Sequence, residues 1–385
     1  MKPTSALPPC LAVFLAAAIS VSAASQVSLL RTPDRGIQPQ AVLGSDGMVH
    51  LIYFGGAPDG GDVFYAKAPA NSENFPPAIR VNTRPNSVMA TGTIRGAQLA
   101  LGRNGRVHVV WNGTATTMRG ERGKAPLFYT RLNDAGTAFE PERNVITSAY
   151  GLDGGSSVAA DDAGNVYVVW HAQPNGQRGT EATRGVFVAK SGNDGKTFAA
   201  ERQINPPESG VCPCCGVKAF AGPGGTVAVL YRLAQGGMTR DESLLLSRDG
   251  GQTFKVATAD AWKTGACPMS SSSMSLRESA LLAAWETAGQ VYGALMEPAG
   301  ASVQKRLAPG GAGKRKHPVI VANKRGEVLM AWADGTGWNK GGSVAWQVFD
   351  VEGKPTSEKG MRNGVPVWSL ATAYAKPDGS FVVVY

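Results

Sequence analysis

Four cysteines are the residues with the most chemistry available to them. Cys212-Pro213-Cys214-Cys215 places three thiols in four residues, and Cys267 opens Cys267-Pro268-Met269. Thiols at this density pair as disulfides, hold a soft cation as thiolates, or supply one activated nucleophile. In an oxidising compartment two disulfides are expected, one of them joining the cluster to Cys267. If the cysteines are reduced, Met269, Met274 or His317 would extend a donor set suited to copper(I) or zinc. Cys212 and Cys215 have Cys-x-x-Cys spacing, but a zinc ribbon needs a second such pair and Cys267 stands alone.

A second set could handle an acidic ligand. Arg35, Arg95 and Arg315 are candidates for a bidentate clamp on a carboxylate, with Asp153 as a proton donor and Tyr150 nearby. Lys316, His317 and Trp368 add a cation, a titratable ring and a flat apolar face. His50 and His108 take matching places in successive repeats, which points to packing. No metal-binding histidine pair at helical spacing and no nucleophile elbow is present.

What must position these residues is a repeated hairpin. Two apolar strands, a polar glycine turn and a closing aromatic recur at residues 40–53, 98–111, 157–170, 218–231, 275–285, 319–332 and 372–385. The closing residues are Tyr53, Trp111, Trp170, Tyr231, Trp285, Trp332 and Tyr385. Near-continuous apolar runs mean strands covered on both faces, and such a period is the pattern of a β-propeller. Residues 26–31 have the character of an outer strand and would complete the last unit, joining the two termini and removing a free edge. The fold expected is all-β: a seven-bladed propeller over residues 25–385, with six blades and an irregular hairpin as the alternative. Aligned on the closing aromatics, Arg35-Gly36, Ile94-Arg95, Asp153-Gly154, Cys214-Cys215, Met269, Lys316-His317 and Trp368 all precede an inner strand and would ring the central funnel.

A second repeat lies on the turns. Ser247-Arg248-Asp249-Gly250-Gly251-Gln252-Thr253-Phe254 is matched by Ser191, Asn193, Gly195, Thr197 and Phe198, and more loosely by Asp134, Gly136 and Phe139. The Ser and Asp side chains can bond backbone N–H groups within the turn, Gly supplies its dihedrals, and the aromatic is driven under the strands. S-x-D-x-G-x-T-[FW] resembles the Asp-box, or BNR repeat, of sialidase-like propellers. The resemblance spans nearly all of residues 25–385 as architecture, and in that family the boxes lie away from the active centre. Sialidase chemistry would further require three arginines, a Tyr–Glu pair and an Asp. The family's first arginine stands in R-I-P, whereas this chain reads Arg35-Gly36-Ile37-Gln38-Pro39, and Arg95 lacks the proline.

Composition sets the outer limits. The chain has 385 residues, 43% hydrophobic and 17% charged, with 49 glycines and 24 prolines, which suits many short strands joined by turns. Residues 1–24 read as a secretory signal, with Lys2, an apolar run and small residues before the cleavage point, so an exported, periplasmic or secreted monomer with no membrane span is expected. The formal charge of +9 is spread along the chain, and basic residues interleaved with aromatics for nucleic acid are not evident. The role expected is recognition of a carbohydrate or cell-envelope ligand at the funnel. The alternatives are a glycoside hydrolase using Arg95 and Asp153, and a metal-binding or interaction propeller centred on the cysteines.

Overall fold

The computed structural model describes Met1 and residues 25–114, 124–296 and 307–385; the secretory signal expected at residues 1–24 lies outside them except for Met1. Seven sheets form the ring. β1 (Val27–Leu30) belongs to the last of them. Blade one is β2 (Ile37–Leu43), β3 (Met48–Ala57), β4 (Gly60–Pro69) and β5 (Ile79–Arg80). Blade two is β6 (Gln98–Leu101), β7 (Val107–Asn112), β8 (Leu127–Arg131) and β9 (Arg143–Asn144). Blade three is β10 (Ser157–Ala160), β11 (Val166–Ala172), β12 (Gly185–Ser191) and β13 (Arg202–Gln203).

Blade four is β14 (Lys218–Gly222), β15 (Thr226–Arg232), β16 (Glu242–Ser247) and β17 (Lys255–Asp260). Blade five has three described strands, β18 (Ser273–Arg277), β19 (Ala280–Thr287) and β20 (Gln290–Met296). Blade six is β21 (Arg315–Ala322), β22 (Val328–Asp334), β23 (Gly342–Phe349) and β24 (Pro355–Val365). Blade seven is β25 (Thr372–Ala375), β26 (Phe381–Val384) and the returning β1. The seven-blade expectation holds over the six-blade one.

The N-terminal strand closes the ring as its sequence suggests, with Val27 opposite Phe381 and Leu30 opposite Val384. It does so in parallel, unlike the antiparallel pairs elsewhere in the blades. Between blades the core is apolar on both sides of each sheet, which is why the strands read as continuous apolar runs. Trp111, Trp170, Trp285, Tyr53 and Tyr231 are fully buried there. Adjacent inner strands are stitched by hydroxyls: Thr372 Oγ1 accepts from Ala41 N, Ser157 Oγ from Ala219 N and Ser273 Oγ from Ile320 N, all at 3.0 Å.

The three Asp-box turns lock blades two, three and four each to the one before it. Ser247 Oγ accepts from Gly251 N at 2.9 Å, and Asp249 accepts from the backbone and hydroxyl of Thr253, which with Ser247 holds its carboxyl well below the usual range. Asn193 repeats the arrangement with Thr197. The box aromatics then pack backwards: Phe198 meets Tyr129 edge-on at 4.7 Å and Phe139 meets Tyr65 at 5.5 Å. Those tyrosines donate to, or accept from, His108 and His50, so both histidines serve packing as expected. The loosest box differs from its sequence alignment. Asn133 ties that turn by accepting from Thr137 N at 3.0 Å, while Asp134 points out to pair with Arg106.

Candidate functional site

All seven inner strands start at one end of the ring, so the segments leading into them form its mouth. Two of these segments share a device. In β2 the pairing skips from Ile37 to Gln40, and in β21 from Lys316 to Val319. The inserted residues are Gln38-Pro39 and His317-Pro318, a bulge in which proline's missing N–H costs no ladder bond. Gln38 and His317, with Met269 and Trp368 at the mouths of blades five and seven, hold left-handed backbone with φ of 54°, 52°, 49° and 58°. Such dihedrals are unfavourable away from glycine and are held here by the surrounding structure.

Below the mouth the axis is nearly filled. At one level of the inner strands, just past the two bulges in β2 and β21, stand Gln40, Gln98, Ser157, Lys218, Ser273, Val319 and Thr372. All but Ser157 line a cavity of about 50 Å³, room for a few waters and too small for a sugar ring. Lys218 Nζ donates across the axis to Gln98 Oε1 at 3.0 Å, and burial brings its ammonium down to about 8. This ring was not singled out from the sequence, although every member stands at one fixed place in the repeat. Beyond it the channel widens to about 550 Å³ between largely apolar inner strands.

The arginines do not form a common clamp. Arg95 and Asp153 do meet, with Arg95 Nη2 2.5 Å from Asp153 Oδ1, Nε 2.7 Å from the Asp153 carbonyl and Nη1 2.7 Å from the Thr91 carbonyl. The guanidinium is therefore engaged on three sides, and the Asp153 side chain remains 47% exposed. Arg315 is buried between blades five and six, stacked on Trp332 and bonded to Gln290 and the Pro309 and Gly310 carbonyls. Arg35 is exposed at the end of a short 3-10 turn whose Asp34 accepts from Tyr53 Oη. Tyr150 packs at the edge of blade three, with Asn144 and the Ile146 carbonyl 3.4 Å from its hydroxyl.

Over the mouth stand two tryptophans. The turn joining β22 and β23 carries Trp338, 57% exposed, edge-on to Trp368 at 6.1 Å. It reaches across to the approach of blade two, where a Cβ on Gly92 would lie 2.9 Å from its ring. Thr93, Ile94, Met269, Lys316, His317 and Thr336 complete this shallow pocket. Lys316 Nζ is bonded to the Pro268 carbonyl at 2.5 Å, and His317 Nδ1 to Ser271 Oγ at 3.0 Å. Burial holds His317 neutral, down to about 3. Among the described residues, no carboxylate lines either this pocket or the cavity beneath it.

Beside the tryptophans lies the cysteine loop. Cys214 and Cys267 are joined, as one of the two expected bridges required, whereas Cys212 and Cys215 are free and buried, 1% and 3% exposed. The second bridge expected from an oxidising compartment is therefore not formed. Cys212 Sγ is 3.4 Å from Cys214 Sγ, and the sulfurs of Cys212, Cys214 and Cys267 all lie within 4.8 Å of one another. The Cys215 thiol donates to Cys212, which lowers the Cys212 pKa and, with burial, raises that of Cys215. Met274 instead packs against the Trp285 core, and His317 is outside the sulfur group.

The loop is held from below by histidine. Arg184 Nη1 donates to His171 Nδ1 at 3.3 Å, so His171 carries its proton on Nε2 and donates to the Cys215 carbonyl at 3.1 Å. Gly154 is needed for this approach, because a Cβ there would lie 2.2 Å from the Cys215 carbonyl oxygen and 2.6 Å from His171 Nε2. Neighbouring blades also clamp the loop, through Gly216 N to the Ser270 carbonyl and Val217 N to the Gly155 carbonyl.

No family model matches the sequence, and no curated protein does. Solved structures do match. A protein of unknown function from Dyadobacter fermentans aligns with a TM-score of 0.57 at 14% identity, covering 85% of this chain and 98% of its own. The chain is a seven-bladed β-propeller, and it shares that fold with these structures. The Penicillium chrysogenum α-L-arabinanase, solved with arabinobiose, aligns at 0.53 and 13%, covering 86% and 99%. The Hadza microbial sialidase Hz136 aligns at 0.52 and 12%, covering 84% and 73%. At such identities the propeller shares architecture with carbohydrate-active proteins, and its chemistry rests on its own residues. Among the described residues no helix is long and apolar enough to cross a membrane.

Proposed function

We propose that this propeller is an exported carbohydrate-recognition protein that takes a cell-envelope glycan across the mouth of its ring without cleaving it. The observation that carries this reading is the Trp338–Trp368 pair. A large indole left 57% exposed in a shallow pocket of mixed polarity offers the apolar face of a sugar a rigid platform at little conformational cost. Thr93 and Thr336 supply hydroxyls to the rim, and Lys316 adds positive charge. The carbohydrate-active structural neighbours raise the prior for a sugar ligand and do not identify it.

Binding is favoured over hydrolysis by the surroundings of the pair. Glycoside cleavage by the usual routes needs two carboxyl groups roughly 5 to 10 Å apart around the bond. No carboxylate lines the pocket among the described residues, and Arg95 already occupies Asp153. The test is calorimetric titration against a panel of envelope glycans, with a reducing-sugar assay on the same mixtures. Binding without sugar release, weakened about tenfold by Trp338→Ala, is expected. Sugar release abolished by Asp153→Asn would replace this reading with the hydrolase, and a panel that does not bind would remove it.

A further inference from the structure

Three cysteine sulfurs, those of Cys212, Cys214 and Cys267, gather at one point with Cys215 against Cys212, although the chain separates them across the mouths of two blades. Cys212, Cys214 and Cys215 turn between blades three and four, and Cys267 enters blade five. We infer that, once the Cys214–Cys267 bond is reduced, these sulfurs form an all-thiolate site for one thiophilic d10 cation, Cu(I) or Zn(II). This site is separate from the tryptophan platform and does not depend on it.

Geometry supports the inference in three ways. Thiolates bound to one ion at about 2.3 Å stand about 3.8 Å from each other in a tetrahedron. The Cys212–Cys214 separation of 3.4 Å is already close to that, and Cys267, bonded to Cys214, lies within 4.8 Å of Cys212 and has only to part from Cys214 on reduction. The Cα atoms of Cys214 and Cys267 are 6.7 Å apart, near the upper end of the range for a bridged pair, so their sulfurs can part without moving the backbone far. Cys215 lies against Cys212, outside the group of three, and would have to move closer to serve as a fourth donor; sulfur-only sets select soft cations over hard ones.

The surroundings resemble a metal site more than a structural staple. Cys212 and Cys215 are sealed from solvent while Cys267 is exposed, giving a buried floor and an open side for entry. Arg232 and Arg240 lie near Cys212 and would offset the surplus negative charge of three or four thiolates. The loop is oriented by outer contacts: the Cys215 carbonyl accepts a hydrogen bond from His171 Nε2, and Lys316 Nζ donates to the Pro268 carbonyl next to Cys267. A bridge that only stapled two blades would not need two further buried thiols beside it.

The conversion balances simply. An external dithiol delivers two electrons and two protons to the Cys214–Cys267 bond, becomes a disulfide itself and leaves two thiols. Binding of the cation then displaces protons from the thiols that ligate it. With the bridge formed, two of the four donors are withdrawn, so the site is available only to reduced protein.

The purified protein, reduced with a phosphine and kept anaerobic, is titrated with Cu(I) against bicinchoninate and, in parallel, with Zn(II) against a chromogenic chelator. One equivalent of one ion bound, with sulfur-only scattering in its X-ray absorption spectrum, is expected; the arm that competes names the ion. Cys267→Ser, at an exposed position, should lower affinity at least about tenfold, as even outer contacts of metal ligands do. Cys212→Ser should do the same with an unchanged near-ultraviolet circular dichroism spectrum, and Trp338→Ala should leave binding unaltered. Failure of reduced wild type to compete for either ion overturns the site, as does equal affinity in both serine variants.

Discussion

On the outer rim, Ser191, Asn193, Ser247 and Asp249 direct their polar groups into their own turns, and Phe139 and Phe198 pack on the tyrosine of the blade before. At the mouth, left-handed residues and two free thiols occupy the segments that lead into the inner strands, and the exposed Trp338 overhangs them from the β22–β23 turn. Both regions come from one hairpin pattern repeated around a ring. The rim repeats its solution because every blade must solve the same packing problem. The mouth varies from blade to blade because nothing in the packing of a blade dictates what stands above it. In a propeller, then, regularity marks stability and departures from it mark where a ligand could act.

The largest effect that would sharpen this contrast is at the rim. Tyr129 is fully buried, bonded to His108, in contact with Phe198 and covered by Arg143. Tyr129→Ala is expected to cost about 3–5 kcal/mol in urea unfolding, as loss of a large buried ring does. Glycan binding by whatever stays folded should be unchanged.

Acid should strain both regions together. Burial is the main cause that holds His50 near 4 and His108, His171 and His317 near 3, so all four stay neutral in the folded protein. The unfolded chain takes up those protons near pH 6.5. Stability is therefore full above about pH 6.5 and falls as pH drops toward 4, by up to about 1.4 kcal/mol per pH unit for each histidine. Urea midpoints at pH 7.5 and 5.5 check this; equal midpoints would mean the rings are not neutral in the fold. An acid loss that persists undiminished when His50→Gln and His108→Gln are combined would place the sensitivity with His171 and His317 at the mouth alone.

A smaller difference separates two neighbours on the rim. Asn133→Ala removes the acceptor that ties its turn and should cost about 1 kcal/mol. Asp134→Ala should leave the melting temperature unchanged, because that side chain is 85% exposed and pairs at the surface. The reverse order would restore the alignment read from the sequence. Smallest of all, Trp338→Ala should change stability by less than about 0.5 kcal/mol while weakening the glycan. A large loss of stability there would make the tryptophan part of the frame and end the contrast.

Much of the frame was legible because a propeller blade is a local object. The closing aromatics, the glycine turns and the outer strand at the N-terminus announce themselves within a few dozen residues, and all take the places their pattern implied. The mouth was legible only as a set of positions. Placing Arg95 and Asp153 on it was possible; learning that they bind each other, and that Arg315 turns away to stack on Trp332, was not. Lys218 and Gln98 belong to two different repeats, and nothing local to either indicates a bond across the axis.

The sequence by itself determined the hairpin repeat, its seven copies, the residues that fill the spaces between blades and the strand that closes the circle. These follow from periodicity and apolar burial, which act over short stretches of chain. Only the tertiary structure decided that the cavity on the axis is too small for a sugar, that β1 returns parallel to β26, and that the sulfurs of Cys212, Cys214 and Cys267 meet near the exposed Trp338 and its partner Trp368. Those outcomes depend on the angle and spacing at which separate blades meet, and no single blade encodes them.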